Sequence, residues 1–396
     1  MSEKIPKGWK WVKLGEVAEI VKDIVNPNEF DDLNYIGLEH IGQENLRIIS
    51  IGKSREVNSA KYLFKPNDIL FGKLRPYFRK VVKPKFNGIC STDIWVFRAK
   101  QGYDQNYLYY FLANWDFVNL ASSGEGGTRM PRADWNYLKQ TEWIFPPLPE
   151  QKAIAEVLSS LDDKIDLLHR QNKTLEKMAM TLFRQWFIEP TKDGLPEGWE
   201  EVSLGDIFDI GIGRTPPRKE SQWFSVNQHD IRWISVKDLG SIDTYILNSS
   251  EFLKEEAVKE FNIPIIPDNT VVLSFKLTVG RIGITIGEMV SNEAIAHFKL
   301  KPDSKISSNY LYLFLKTLDF SAFGSTSSIA EAINTKIIKE IKILVPNDEL
   351  ITSFQSLINP VFQKIRLNTL EIQTLEKLRD TLLPKLMSGE VRVMKK

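Results

Sequence analysis

The chain has 396 residues, more than one ordinary core holds, because domains usually contain about 100–200 residues; two domains with connecting elements are expected. A composition of 42% hydrophobic, 26% charged and 11% aromatic residues is that of a folded globular protein and excludes a disordered tail. A net charge of +1 gives no compositional push toward nucleic acid, so a DNA partner would require Lys and Arg sorted onto one surface.

No stretch approaches the roughly 18 apolar residues that cross a bilayer, and the opening MSEKIPKGWKW lacks a secretory pattern, so a cytoplasmic protein without a membrane partner is expected. The single Cys90 cannot form an intramolecular disulfide. His40, His169, His229 and His297 are scattered, with no zinc-type cluster, and no metal site is expected.

In chain order, IPKGWKWVKLGEVAEI (Ile5 to Ile20) leads to NYIGLEHIG (Asn34 to Gly42). DILFGK from Asp68 and GICSTDIWVFRA from Gly88 are short, β-rich runs broken by Gly, Pro or Asn, the pattern of strands joined by turns. The basic loop GKLRPYFRK (Gly72 to Lys80) lies between them. A helix is expected over Asn106 to Asn119, then the glycine-rich loop GEGGTRMPR (Gly124 to Arg132), then the alternating strand EWIFPPLPEQ (Glu142 to Gln151).

A long helix should follow, roughly Gln151 to Ile188. Its residues Ile154, Leu158, Leu161, Ile165, Leu168, Asn172, Leu175, Ala179, Leu182 and Trp186 step alternately by four and three, a coiled-coil seam.

The order then returns. LPEGWEEVSLGDIFDI (Leu195 to Ile210) answers the opening, RWISVKDLG (Arg232 to Gly240) answers NYIGLEHIG, and YLYLFLKTLDF (Tyr310 to Phe320) answers YLYYFLANWDF (Tyr107 to Phe117). TVVLSF, GRIGITIG and IAHFKL read as strands, Ser308 to Phe323 as a helix, and IKILVPNDEL (Ile341 to Leu350) as the second strand-to-proline junction. The second seam comprises Phe354, Ile358, Val361, Ile365, Asn368, Ile372, Leu375, Arg379, Leu382 and Leu386.

The expected organisation is a first domain over 1–148, a central spacer helix over 149–190, a second domain over 191–347 and a C-terminal spacer helix over 348–396. The fold class is α+β: two similar domains separated by a long two-helix coiled coil with pseudo-two-fold symmetry. The helices should run antiparallel, because helix one feeds the second domain and helix two starts from it. Asn172 and Asn368 in the seam favour one register over its slipped alternatives. Pro360 is a candidate kink, and Pro384 with Gly389 should stop the second helix.

The duplicated P-x-G-W-x-x-V-x-L-G opening, the junction FPPLPEQKAIAEVLSSLDDKID and the ending LEKLRDTLLPKLMSGEVRV resemble the specificity subunits of type I restriction-modification systems, over essentially the whole chain. The resemblance implies that each domain, a target-recognition domain, reads one half of a split double-stranded DNA target in the major groove. It also implies paired helices that set the gap and dock two methyltransferase subunits, with two motor-nuclease subunits completing the assembly. No catalysis and no cofactor are expected in this chain; S-adenosylmethionine, ATP and Mg2+ would belong to the other subunits. The second junction, VPNDELITSFQ, departs from the first and implies a differently arranged dock there.

Base reading needs Arg, Lys, Asn, Gln, Ser or Thr at base edges and further cations on phosphates. In the first domain the candidates are Lys73, Arg75, Tyr77, Arg79 and Lys80, then Thr128, Arg129 and Arg132. In the second they are Arg214, Thr215, Arg218 and Lys219, then Lys276 and Arg281, then Ser325 and Ser327. Any one of these cations is equally explained as a solvated surface residue. Glycine, proline or aromatic residues within each loop permit close backbone approach and stacking.

Catalytic alternatives are weak. GIGRTP lacks the third glycine and following helix of a dinucleotide loop, and FPPL at Phe145 lacks the polar residue expected of an amino-methyltransferase. Asp303 with Glu340 and Lys342 only mimics a nuclease pattern. A stand-alone nuclease or methyltransferase, and a coiled-coil scaffold that binds no DNA, are the rival readings.

Overall fold

The computed structural model describes residues 5–123, 131–240, 242–320 and 335–393. The chain divides into two compact units, one of Met1–Ile165 with Thr374–Lys396 and one of Asp166–Gln373. Each is a mixed α+β body.

In the first unit the strand Ile94–Ala99 lies between Ala18–Val21 and Ile69–Gly72, with Val81–Val82 at the far edge. A second sheet orders Ile24–Val25, Lys61–Phe64, Gly88–Cys90, Asn34–Ile36 and Gly52–Lys53. The first sheet is covered on both faces, which explains its continuous apolar runs. Ile69, Phe71, Trp95 and Phe97 point into one core, with Tyr107, Leu108 and Phe111. Leu70, Ile94 and Val96 point into the other, with Ile36, Phe64 and Cys90.

The second unit repeats this plan. Ile295–Leu300 sits between Phe208–Ile212 and Val271–Ser274, followed by Ile282–Thr285 and Tyr245–Ile246. Its second sheet orders Phe224–Ser225, Glu251–Leu253, Ile231–Ile234 and Val290–Ser291. In each unit the opening motif pairs antiparallel with the strand before the long helix: Lys10–Lys13 with Glu142–Phe145, and Glu200–Ser203 with Lys342–Val345. The repeated motif therefore closes each domain by joining its first and last strands.

The long helices are Leu148–Phe183, prolonged by a wider turn over Arg184–Ile188, and Asp348–Ser388. In the second unit Asn368 Nδ2 donates to Asn172 Oδ1 at 2.8 Å, while Trp186 packs on Phe354 with ring centroids 5.6 Å apart. Advancing along one helix means receding along the other, so the helices are antiparallel there. The first unit agrees, with Arg392 on Glu150 and Arg379 on Asp162 at 2.7 and 2.9 Å. A parallel, in-register pair would set Asn172 against Ile372 and leave both amides facing apolar groups.

The seam residues Leu158, Ile165, Leu168, Ile358, Ile365 and Ile372 are buried, and Leu161, Leu175, Leu182, Val361, Leu375 and Leu382 half-buried. The apolar stripe is wider than the strict seam, because Ala155, Phe183, Phe362 and Leu383 are also buried where the helices pack on the domains. Burying each such side chain contributes about 1.5–3 kcal/mol.

Three expectations change. The helix expected over Asn106 to Asn119 is two helices, Gln105–Ala113 and Trp115–Ser122, because Asn114 is extended (φ −69°, ψ 140°) and its carbonyl accepts from Val118 N of the second. The helix expected over Ser308 to Phe323 is described over Ser308–Thr317, ending at extended Leu318. Pro384 does not stop the second long helix, which continues to Ser388; Gly389, at φ +76°, is the terminator, a conformation that favours glycine.

Replacing Asn172 by Leu should leave the buried Asn368 amide only its longer bond to Gln171 Oε1, at 3.4 Å, and destabilise the second unit by about 1–3 kcal/mol, whereas Asn172→Leu with Asn368→Leu should recover most of that loss. Chemical denaturation of both variants checks this. His297, buried with Nε2 2.6 Å from Ser291 Oγ, has its pKa held down to about 3 by burial, with Lys299 adding to the shift. The unfolded chain, titrating near 6.5, takes up the proton first, so stability should fall as pH drops from about 6.5 toward 3, by about 1.4 kcal/mol per pH unit. His297→Gln should flatten that slope in unfolding curves taken at pH 5 and 7.

Candidate nucleic-acid interface

The basic loops emerge from the same corner of each domain. In the first, Gly72 pairs with Ile94, Lys73 N donates to Asp93 O at 2.9 Å, and Gly72 N donates to Lys80 O at 2.9 Å. In the second, Ser274 pairs with Ile295, Phe275 N donates to Ala294 O at 2.9 Å, and Ser274 N donates to Arg281 O at 2.9 Å. The loops Lys73–Arg79 and Phe275–Gly280 are thus structural counterparts.

Their anchors match as well. Lys80 Nζ donates to Leu38 O, and Arg281 Nη1 donates to Val236 O at 2.6 Å. Both carbonyls belong to the repeated motif read as NYIGLEHIG and RWISVKDLG, which therefore serves as the seat of the loop. These two cations, candidates for DNA contact, hold the loop to its domain.

Arg79 is a clearer correction. Only 1% exposed, it donates from Nε to Ala113 O at 2.6 Å, lies 3.4 Å from Asp380 and stacks over Trp115 at 5.2 Å. Such a guanidinium reaches neither base nor phosphate. It belongs with Arg379, Asp162 and Asp380 to a charge cluster, its arginines buried and its acids reaching the surface, that ties the second long helix to the first domain.

The remaining candidates stay at the surface. Half-buried Lys73 faces Asp93 and Arg132; burial lowers its pKa, Asp93 opposes, and Arg132 and Lys22 reinforce. Arg132 lies 3.4 Å from Asp93 with its side chain 63% exposed. Arg75 sits at φ +52° with its backbone N donating to Pro131 O, and Tyr77 is exposed against Phe78.

In the second domain Thr215 donates to Glu293, whose pKa is lowered chiefly by that bond, with burial opposing and Lys276 and Arg218 assisting. Two loops distant in sequence therefore converge on one acid. Arg218 grips Glu251 at 2.6 and 3.1 Å and stacks over Phe224 and Trp233 at 4.6 and 4.5 Å. Arg214 donates to Phe261 O at 3.0 Å, and Lys219 is exposed. Thr128, Arg129, Ser325 and Ser327 lie outside the described residues.

Sequence reasoning missed the acids Asp93 and Glu293, and also Leu277, 89% exposed at φ +66° beside Lys276. An apolar residue in a basic loop gave no signal, since its exposure depends on the strands that brace the loop.

Residues 6–177 and 196–378 each match the family model described as "Type I restriction modification DNA specificity domain". The chain belongs to this family. It is 30% identical to the type I restriction enzyme MjaIX specificity subunit of Methanocaldococcus jannaschii, over 74% of this chain and 71% of that one. It is 22% identical to the HindI specificity subunit of Haemophilus influenzae, over 97% and 99%. The crystal structure of the type I restriction-modification S subunit from M. genitalium shares the fold at 18% identity, with a TM-score of 0.55 covering 100% of this chain and 98% of that one. As a type I specificity subunit it carries two copies of the family domain, and no helix among the described residues is long and apolar enough to cross a membrane.

Arg79→Ala should unfold the first domain more easily by about 2–4 kcal/mol, because it removes the donor to the Ala113 and Glu44 carbonyls and leaves Asp380 to Arg379 alone. Arg218→Ala, at the surface, should shift stability by no more than about 1 kcal/mol. Denaturant titrations of the two variants separate the buried cation from the exposed one.

Proposed function

We propose that this specificity subunit reads a bipartite, asymmetric DNA target, one half with each domain, and that its paired helices set the gap and dock methyltransferase subunits. The observation that carries the reading is the pair of equivalent loop corners: one backbone plan, seated by Lys80 in one domain and Arg281 in the other, carries different side chains outward. Equal frames with unlike residues fit two unlike half-sites. The outward cations Lys73, Arg132, Arg218, Lys276 and Lys219 would hold phosphates or base edges.

Catalysis would reside elsewhere in a cytoplasmic assembly of two methyltransferase and two motor-nuclease subunits, which would bind S-adenosylmethionine, ATP and Mg2+. The chain's own part is to position duplex DNA.

The test is to map methylated adenines made by the assembled complex. A motif split by a fixed gap is expected; a contiguous motif overturns the reading, as would methylation or cleavage by the chain alone. DNA affinity should fall steeply and log-linearly with salt, the signature of phosphate neutralisation. Excising one heptad from each long helix at matching levels removes about 10 Å of helix, so the gap should shorten by about three base pairs with both half-sites unchanged. Sequencing of the methylated sites reads that outcome directly.

A further inference from the structure

The two corner loops diverge at one backbone position. The third residue after Gly72 is Arg75, at φ +52°, and the third after Ser274 is Leu277, at φ +66°. Counted from the shared hydrogen bonds that lead into the loops, and with both residues left-handed, the two positions correspond, although the first loop, Lys73–Arg79, is one residue longer than Phe275–Gly280 before the shared exit. Left-handed backbone is uncommon for residues other than glycine, so the position needs holding, and in the first domain Arg75 N donates to Pro131 O at 2.8 Å. In the second domain the brace is Ser274, fully buried: its Oγ donates to Thr278 O at 2.6 Å and accepts from Arg281 N at 3.0 Å.

What the brace presents differs in chemistry. Leu277 is 89% exposed, and Val279 near it is 37% exposed. Lys276 precedes it in the chain and, with Arg218 from the other basic loop, lowers the pKa of Glu293, so the apolar tip adjoins cations interleaved with acids. A solvated leucine in a braced, unfavourable conformation contributes nothing to the core of its domain. An exposed apolar tip with a lysine beside it in the loop fits a polyanion that carries an apolar group at reach. Duplex DNA has one such group in the major groove, the thymine 5-methyl, and apolar side chains recognise it by contact. The corresponding Arg75, whose buried Nε has no hydrogen-bond partner among the described residues, carries guanidinium donors that suit a base edge, for which guanine O6 and N7 are the best acceptors.

Building on the bipartite reading, we infer that Leu277 and Arg75 are equivalent specificity-determining residues: Leu277 selects a thymine methyl in the half-site of the second domain, Arg75 a guanine in the other. The difference in target between the two halves would then begin at this single backbone position.

The experiment selects duplexes from a randomised library with the full-length chain in its assembled complex, for the unsubstituted protein, Leu277→Ala and Leu277→Arg. Leu277 is solvent-exposed, so both variants should fold, and their melting curves should overlay the parent's. The expected result is one thymine preference lost in Leu277→Ala and replaced by guanine in Leu277→Arg, with the other half-site unchanged. Replacing that thymine by deoxyuridine, which removes only the methyl, should weaken binding by the parent about three- to tenfold and leave Leu277→Ala unmoved. A split motif that survives both substitutions overturns this inference and leaves bipartite reading intact. Equal weakening on all sequences, or indifference of the parent to deoxyuridine, also overturns it. If the unsubstituted complex selects no split motif, bipartite reading itself fails.

Discussion

The buried polar contact between the two long helices is the constraint on which the rest of the structure depends. Two apolar seams can pair in several registers and in either direction, because leucines and isoleucines do not discriminate strongly between neighbours. The amides of Asn172 and Asn368 do, since an unpaired buried amide costs about 1–3 kcal/mol and only the antiparallel register brings the two together. In the first unit Arg379 on Asp162 makes the same selection with charge. Each unit thus contains its own device for fixing how the helices run.

The second principle is duplication of backbone without duplication of side chains. Strand register places the entry to the loop at the same point in both domains, and a cation from the loop's exit, Lys80 or Arg281, seats it on the carbonyl of Leu38 or Val236. Such anchoring holds the loop still, and a loop held still can discriminate between partners that differ by one methyl or one donor. The charges of these loops therefore divide into two jobs. Some, with Arg79 the extreme, are consumed in holding the frame; others, among them Lys276, Arg132 and Lys219, remain outside it.

That division was the part least legible in the sequence. GKLRPYFRK presents four cations at nearly adjacent positions, and nothing in their order says that Arg79 turns inward while Lys73 stays half-exposed. Arg79 is buried because Ala113, Glu44 and Asp380, all far away in sequence, converge to receive it. Leu277 was overlooked for the converse reason: hydrophobic residues are expected inside, and only the brace at Ser274 holds it out.

From the sequence alone came the repeat, the α+β class of the domains, the two long helices with their seams, and the family resemblance. All of these are carried by local periodicity or by internal matching, which need no knowledge of distant neighbours. Gly389 as the stop of the second long helix was legible too, whereas the structure decided that a helix breaks at Asn114, that the second long helix passes Pro384, and which basic residues face outward. The sorting of the cations rests on contacts between segments separated by tens to hundreds of residues, because a side chain's burial is fixed by what folds against it.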